Sequence, residues 1–174
     1  NVAQILVTYE DFSERNKYLN LRNTINKLLE LNVIPIINEN DPISTKEIGT
    51  SFGDNDKMSA LVASKTNADT LLMLSDIDGL YNKNPKTNKD AQLIRNVTKI
   101  TKEIEKAAGK SGSAFAIGGM LTKIKAAKIA MDSGFHMIIA NGKKKDIIKQ
   151  ALTNTAGTHF VTKQKLSAKQ RFIK

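Results

Sequence analysis

Thr70-Leu71-Leu72-Met73-Leu74-Ser75-Asp76 sets the architecture of this chain: an unbroken apolar run that stops abruptly at two polar residues. The run is strand-sized and does not alternate, which is the pattern of a strand buried on both faces. Two other runs repeat it. Val33-Ile34-Pro35-Ile36-Ile37 leads directly into Asn38-Glu39-Asn40-Asp41, and His136-Met137-Ile138-Ile139-Ala140 leads into Asn141-Gly142. Pro35 has no N–H to give to a ladder, so it belongs where one bond is not needed.

Helical patterns separate these runs. Ser13 is placed to cap a helix reaching about residue 32, in which Tyr18, Leu21, Ile25 and Leu28 recur at helical spacing. Residues 56–65 read as a helix with Met58, Leu61 and Val62 inward, and 102–108 as a shorter one. Gly118-Gly119 open a helix whose Met120, Ile124, Ala127 and Met131 share a face, and Gly134 closes it at C′. A strand end at 5–7, a helix over 144–153 and a last strand at 158–161 complete the reading. This alternation predicts an α/β fold: a mainly parallel open sheet sandwiched between helices. In such sheets ligands sit beyond the carboxyl ends of the strands, and the polar residues that follow each run gather at that edge.

The composition narrows the chemistry. The chain has 174 residues, enough for one domain with a substantial core, and no apolar run reaches membrane-spanning length. With no cysteine and two histidines, thiolate and histidine-rich metal sites are excluded, and no metal-ligating residue is assigned. No secretory signal pattern precedes the first residues, so a cytoplasmic location is expected. The net charge of +10 suits an anionic partner. The lysines are scattered and stacking aromatics are few. They read first as a solvated surface, then as attraction for small anions, and nucleic acid is not the expected partner.

The sharpest phosphate signal is Ile117-Gly118-Gly119-Met120-Leu121-Thr122-Lys123. Paired glycines let backbone N–H groups approach an anion, the helix start adds partial positive charge, and Lys123 lies one turn inside. The Walker A spacing is absent, and a bare Gly-Gly pair serves packing more often than phosphate. Gly53-Asp54-Asn55-Asp56 places two carboxylates and an amide at a helix start, where a cap needs only one such residue. Asn38-Glu39-Asn40-Asp41 and the stretch from Ser75-Asp76 to Gly79 read equally as turns, with Gly79 supplying a positive φ, or as ligand groups at the sheet edge.

Taken together and in order, IPIINENDPIS (34–44), GDNDKMSALVA (53–63), LLMLSDIDGLYNKNP (71–85) and GGMLTKIKAAKIAMDSG (118–134) resemble the amino-acid kinase family. The resemblance continues to AGTHF and KQRFIK near the end. The INEND and GDND pair resembles the branch that phosphorylates the side-chain carboxylate of glutamate. What the resemblance implies is specific. Asp41 and Asn55, supported by Asn38, would bind glutamate. Ser75, Asp76 and Ile117, Gly118, Gly119, Met120, Leu121, Thr122 and Lys123 would contact ATP. Lys123 would stabilise the transition state, Asp56 would organise the catalytic lysines, and Mg2+ would accompany ATP. The resemblance also implies a place at the start of proline biosynthesis, feedback inhibition by proline and a homo-oligomer. The alternative is a nucleotide- or amino-acid-binding protein of the same fold without turnover.

The resemblance implies a domain over 1–161 and a tail over 162–174 that packs loosely or leads into a further module. Family members begin with a strand, a lysine and a Gly-Ser loop, followed by a second, Ser-Ser-Gly loop. No counterpart of either loop stands in these 174 residues, so the kinase domain is expected to be incomplete at its N-terminus and the chain alone is expected not to phosphorylate glutamate.

Overall fold

The computed structural model describes residues 1–43, 55–109, 119–164, 166 and 170. The order is β1 (Val2–Val7), α1 (Glu10–Ser13), α2 (Arg15–Glu30), β2 (Ile34–Glu39), α3 (Asn55–Lys65), β3 (Thr70–Ser75), β4 (Asn96–Val97), α4 (Lys102–Gly109), α5 (Met120–Asp132), β5 (His136–Asn141), α6 (Ile147–Leu152) and β6 (Thr158–Phe160). Among the described residues no helix is long and apolar enough to cross a membrane.

The strands form two sheets. β1 and β2 pair in parallel, with Val2 opposite Ile34 and Val7 opposite Glu39. The larger sheet runs β3-β5-β6-β4. β3 and β5 are parallel and in register from Thr70 opposite His136 to Ser75 opposite Asn141. β4 pairs with β6 in parallel, whereas β5 and β6 are antiparallel. The expected parallel α/β architecture therefore holds with one reversed neighbour. Pro35 lies opposite Ala3 in a strand that pairs, among the described residues, only with β1, which tolerates the missing donor.

β5 is an interior strand of the larger sheet, and its alternate residues feed two cores. Met137 and Ile139 pack with Ala126, Ala127 and Ala130 of α5, while Ile138 and Ala140 pack with Ile147 and Ala151 of α6. Burial on both faces is what the unbroken apolar run predicted. The third core joins Val7, Phe12 and Met58. Helix α3 is the seam between the sheets: Met58, Leu61 and Val62 face β1 and β2, and Ala60 and Ala63 face β3 and α5. The opposite face of the small sheet is open, with Val2 and Ile34 65% and 64% exposed.

Several boundaries differ from the sequence reading. Ser13 does not cap a long helix. It ends α1, its hydroxyl donates to the Glu10 carbonyl, and α2 starts at Arg15 after the extended Glu14. The last helix begins at Ile147 rather than 144, because residues 141–146 form a turn in which the Asn141 side chain accepts from the Lys143 N–H and Asp146 adopts a left-handed conformation. β4 is a two-residue strand with too little apolar pattern to be seen in sequence.

Candidate active site

The site begins with two helices that run side by side in the same direction. Ser64, near the end of α3, donates or accepts a 3.1 Å hydrogen bond with Ser133 just past α5. At the other ends, Asp56 meets Lys123. Small side chains make this approach possible: Ala60, Ala63 and Ser64 on α3 face Ala126, Ala127 and Ala130 on α5, all buried. α5 is followed almost at once by β5, and α3 by β3, so each helix runs back along its strand. The N-termini of α3 and α5 therefore lie at the carboxyl edge of β3 and β5, where two positive dipole ends converge.

At that convergence the Lys123 ammonium lies 3.0 Å from Asp56 Oδ2, with side chains only 9% and 14% exposed. The Thr122 hydroxyl is 2.8 Å from the same oxygen and 2.7 Å from the Gly119 carbonyl, so its single proton serves one of them at a time. A buried charge requires a partner, and here the partner is a carboxylate from a different helix, 67 residues away in sequence. The resemblance implied that Asp56 organises catalytic lysines; the structure sets one lysine, Lys123, against it. Gly119 caps α5 with φ −76° and ψ −177°, extended backbone that needs no glycine.

The other sequence-derived residues are distributed as follows. Asn55 is the first residue of α3 and is exposed, and its carbonyl accepts from the Ser59 hydroxyl. Asn38 lies near the end of β2, opposite Leu6, and Asp41 in the exposed turn beyond it, where the Asn40 N–H returns to the Val7 carbonyl. Ser75 closes β3, and its hydroxyl contacts the exposed Asp76 at 3.3 Å. Met120 and Leu121 open α5, with Leu121 41% exposed. Ile117 and Gly118 lie outside the described residues, as do Gly53 and Asp54.

Three residues at this edge were not singled out from sequence. Asp78 accepts from Asn141 Nδ2 at 2.9 Å and pairs with Lys144 at 2.8 Å. The Lys144 contact foremost, and then the Asn141 amide, hold the Asp78 carboxyl below the ordinary aspartate range. Its folded value is depressed, so this stabilisation is present above the ordinary aspartate pKa and is lost as pH falls through the depressed one. Among the described residues no three His, Asp or Glu side chains converge as a metal cage.

The model of the "Amino acid kinase family" matches residues 1–141. The chain is 55% identical to the glutamate 5-kinase of Methanosarcina barkeri over 164 residues, covering 94% of this chain and 43% of that protein. It is 48% identical to the glutamate 5-kinase of Clostridium acetobutylicum over 165 residues, covering 94% of this chain and 61% of that one. The chain thus spans less than two thirds of the length of these curated relatives. Among solved structures, carbamate kinase from Giardia lamblia bound to AMP-PNP superposes with a TM-score of 0.59 at 23% identity, over 81% of this chain and 44% of that one. UMP kinase from Ureaplasma parvum gives 0.56 at 20% identity, over 81% and 53%. At such identities the structural likeness speaks for the fold.

Proposed function

The chain belongs to the amino acid kinase family, and from that premise we propose that it is part of a glutamate 5-kinase, transferring the γ-phosphoryl group of ATP to the side-chain carboxylate of glutamate. The observation that carries this reading is the Lys123–Asp56–Thr122 cluster at the joined N-termini of α3 and α5. The identity to glutamate 5-kinases over 94% of the chain supports it.

The chemistry asks for little beyond positioning and charge. A glutamate side-chain oxygen is already anionic at neutral pH, so it attacks the γ-phosphorus without a base. A new P–O bond forms, the bond from the γ-phosphorus to the β–γ bridging oxygen breaks, and ADP leaves with the electron pair. The transition state spreads negative charge over the transferring group. Lys123 and the two helix N-termini supply positive charge for it, and Asp56 fixes the ammonium and offsets repulsion before the nucleotide arrives. Mg2+ bound with ATP would supply further positive charge to the phosphates, and no residue of this chain is assigned as its ligand. In this reading Ser75 and Asp76 meet the nucleotide at the end of β3, and Asn55, Asp41 and Asn38 meet the amino acid at the ends of α3 and β2. The product, glutamyl 5-phosphate, is an activated acyl group for proline biosynthesis. Feedback by proline and self-association are part of the same proposal.

The test is ADP release with glutamate, ATP and magnesium, on the longest natural polypeptide that contains this chain. Turnover that requires glutamate is expected. ATP binding without glutamate-dependent turnover would leave only a nucleotide-binding protein of this fold. A second measurement addresses the acceptor site. Asn55→Ala is expected to raise KM for glutamate by roughly five- to a hundredfold, the scale of one lost polar partner, with KM for ATP nearly unchanged. If the ATP value rose instead, Asn55 would belong to the nucleotide.

A further inference from the structure

We propose that Asp78 is a positioning residue for the nucleotide edge: its carboxylate clamps the loop after β3 to the turn after β5, through Asn141 and Lys144, and so fixes the backbone that presents Ser75 and Asp76. The inference rests on the phosphoryl-transfer reading above and deepens it.

The contacts form a closed set. β3 and β5 are in register to their last residues, Ser75 opposite Asn141. The Gly142 N–H extends the ladder one step by donating to the Ser75 carbonyl at 2.8 Å. A side chain at Gly142 would press on Leu74 Cβ at 3.2 Å, so the two chains stay close up to this point. Asp78, three residues further on, then returns to the same turn. One oxygen accepts from Asn141 Nδ2 at 2.9 Å and the other pairs with Lys144 Nζ at 2.8 Å. Asn141 is itself oriented, because its Oδ1 accepts from the Lys143 N–H at 3.0 Å. Beyond the clamp, the Leu80 N–H donates to the buried Thr158 hydroxyl at 2.8 Å.

The loop is therefore pinned at 75, 78 and 80, and the exposed Asp76 lies between the first two pins. Position matters here because groups that contact a nucleotide act through geometry set by such supports. Charge matters as well. An unbalanced carboxylate near a polyphosphate would repel it, and Lys144 supplies the balance. The pair is partly exposed, at 33% for Asp78 and 50% for Lys144, so its contribution to global stability is small. That makes a local, positioning role separable from a folding one.

The experiment compares Asp78→Ala, Asp78→Asn and Lys144→Met with the unsubstituted protein. ATP affinity is measured by calorimetry in the presence of magnesium. KM and kcat are measured on the longest natural polypeptide, and hydrogen exchange is followed at the amides of residues 76–80. Asp78→Ala is expected to weaken ATP binding about tenfold, with kcat and the glutamate KM within about twofold, and to speed exchange at residues 76–78. Asp78→Asn keeps an acceptor for Asn141 and Lys144 and recovers most of the loss. Lys144→Met weakens ATP binding more at low salt than at high, because it acts through charge. Unchanged ATP affinity and exchange in Asp78→Ala would overturn the clamp, as would an equal rise in the KM values of both substrates. If the unsubstituted protein did not bind ATP, the nucleotide reading would fall first and the clamp's purpose with it, whereas faster exchange in Asp78→Ala would still show the loop loosened.

Discussion

Lys123→Met is expected to lower kcat by about a hundredfold or more, the scale for removing one preorganised electrostatic stabiliser from a transition state. Methionine retains most of the aliphatic stem, so the change is mainly one of charge. The geometry predicts an effect on folding as well. Lys123 and Asp56 face each other with side chains 9% and 14% exposed, so removing one leaves the other charged in poor solvent. A stability loss on the order of 1–3 kcal/mol should accompany either single substitution, tempered for Asp56 by the Thr122 hydroxyl. The combined variant Lys123→Met with Asp56→Leu separates the two roles. Replacing both members of a buried pair by apolar groups is often nearly neutral for stability, so its melting temperature should return toward that of the parent while turnover stays lost. Near-normal turnover in Lys123→Met would remove this lysine from the mechanism. Failure of the double variant to recover stability would show that the pair is held by more than charge balance.

What could be read from the sequence follows from the range over which each signal acts. The apolar runs at 70–74 and 136–140 announced two strands, which pair in parallel, but only β5 is buried on both faces; β3 lies at the edge of the larger sheet, where Leu74 is 46% exposed, because a run does not carry the number of its neighbours. The inward face of α5 at Ile124 and Ala127 was equally plain. That Asp56 holds a lysine came from family resemblance and not from spacing, since the two residues lie 67 apart and only the packing of small residues between α3 and α5 joins them. Asp78 was visible only within a stretch that read as a turn or as ligand groups at the sheet edge. Its partners Asn141 and Lys144 lie beyond two intervening helices, and nothing near Asp78 marks it for pairing. The antiparallel β5–β6 pairing escaped for a similar reason: a strand of three residues carries its direction in its partner, not in its pattern.

Gly79→Ala is expected to cost about 2–4 kcal/mol of stability, the range for forcing a side chain into a strained conformation against atoms that cannot withdraw. The turn reading of Ser75 to Gly79 assigned Gly79 a positive φ, and the observed value is 149°. Conformation is only part of the cost. A Cβ there would stand 2.5 Å from Thr158 Oγ1 and 3.0 Å from the Thr158 backbone nitrogen. Neither neighbour has freedom to move. Thr158 is fully buried in β6, its hydroxyl donates to the Ile94 carbonyl at 2.6 Å, and it accepts from the Leu80 N–H at 2.8 Å. Thr158→Val keeps the shape and removes the hydroxyl, leaving the buried Leu80 N–H without that acceptor, and should cost about 1–3 kcal/mol. Thr158→Ser retains both hydrogen bonds and should recover most of that loss. The two sites touch, so Gly79→Ala combined with Thr158→Val should lose less than the sum of the single losses. Urea denaturation of the four variants measures all of this. Strict additivity, or a Gly79→Ala midpoint equal to that of the parent, would show that the loop does not bear on β6 as the contacts require. The consequence reaches the site, because the same loop presents Ser75 and Asp76. A Gly79→Ala protein that still folds at low temperature should bind ATP more weakly, by displacement of the loop and without any change at the residues that would touch the nucleotide.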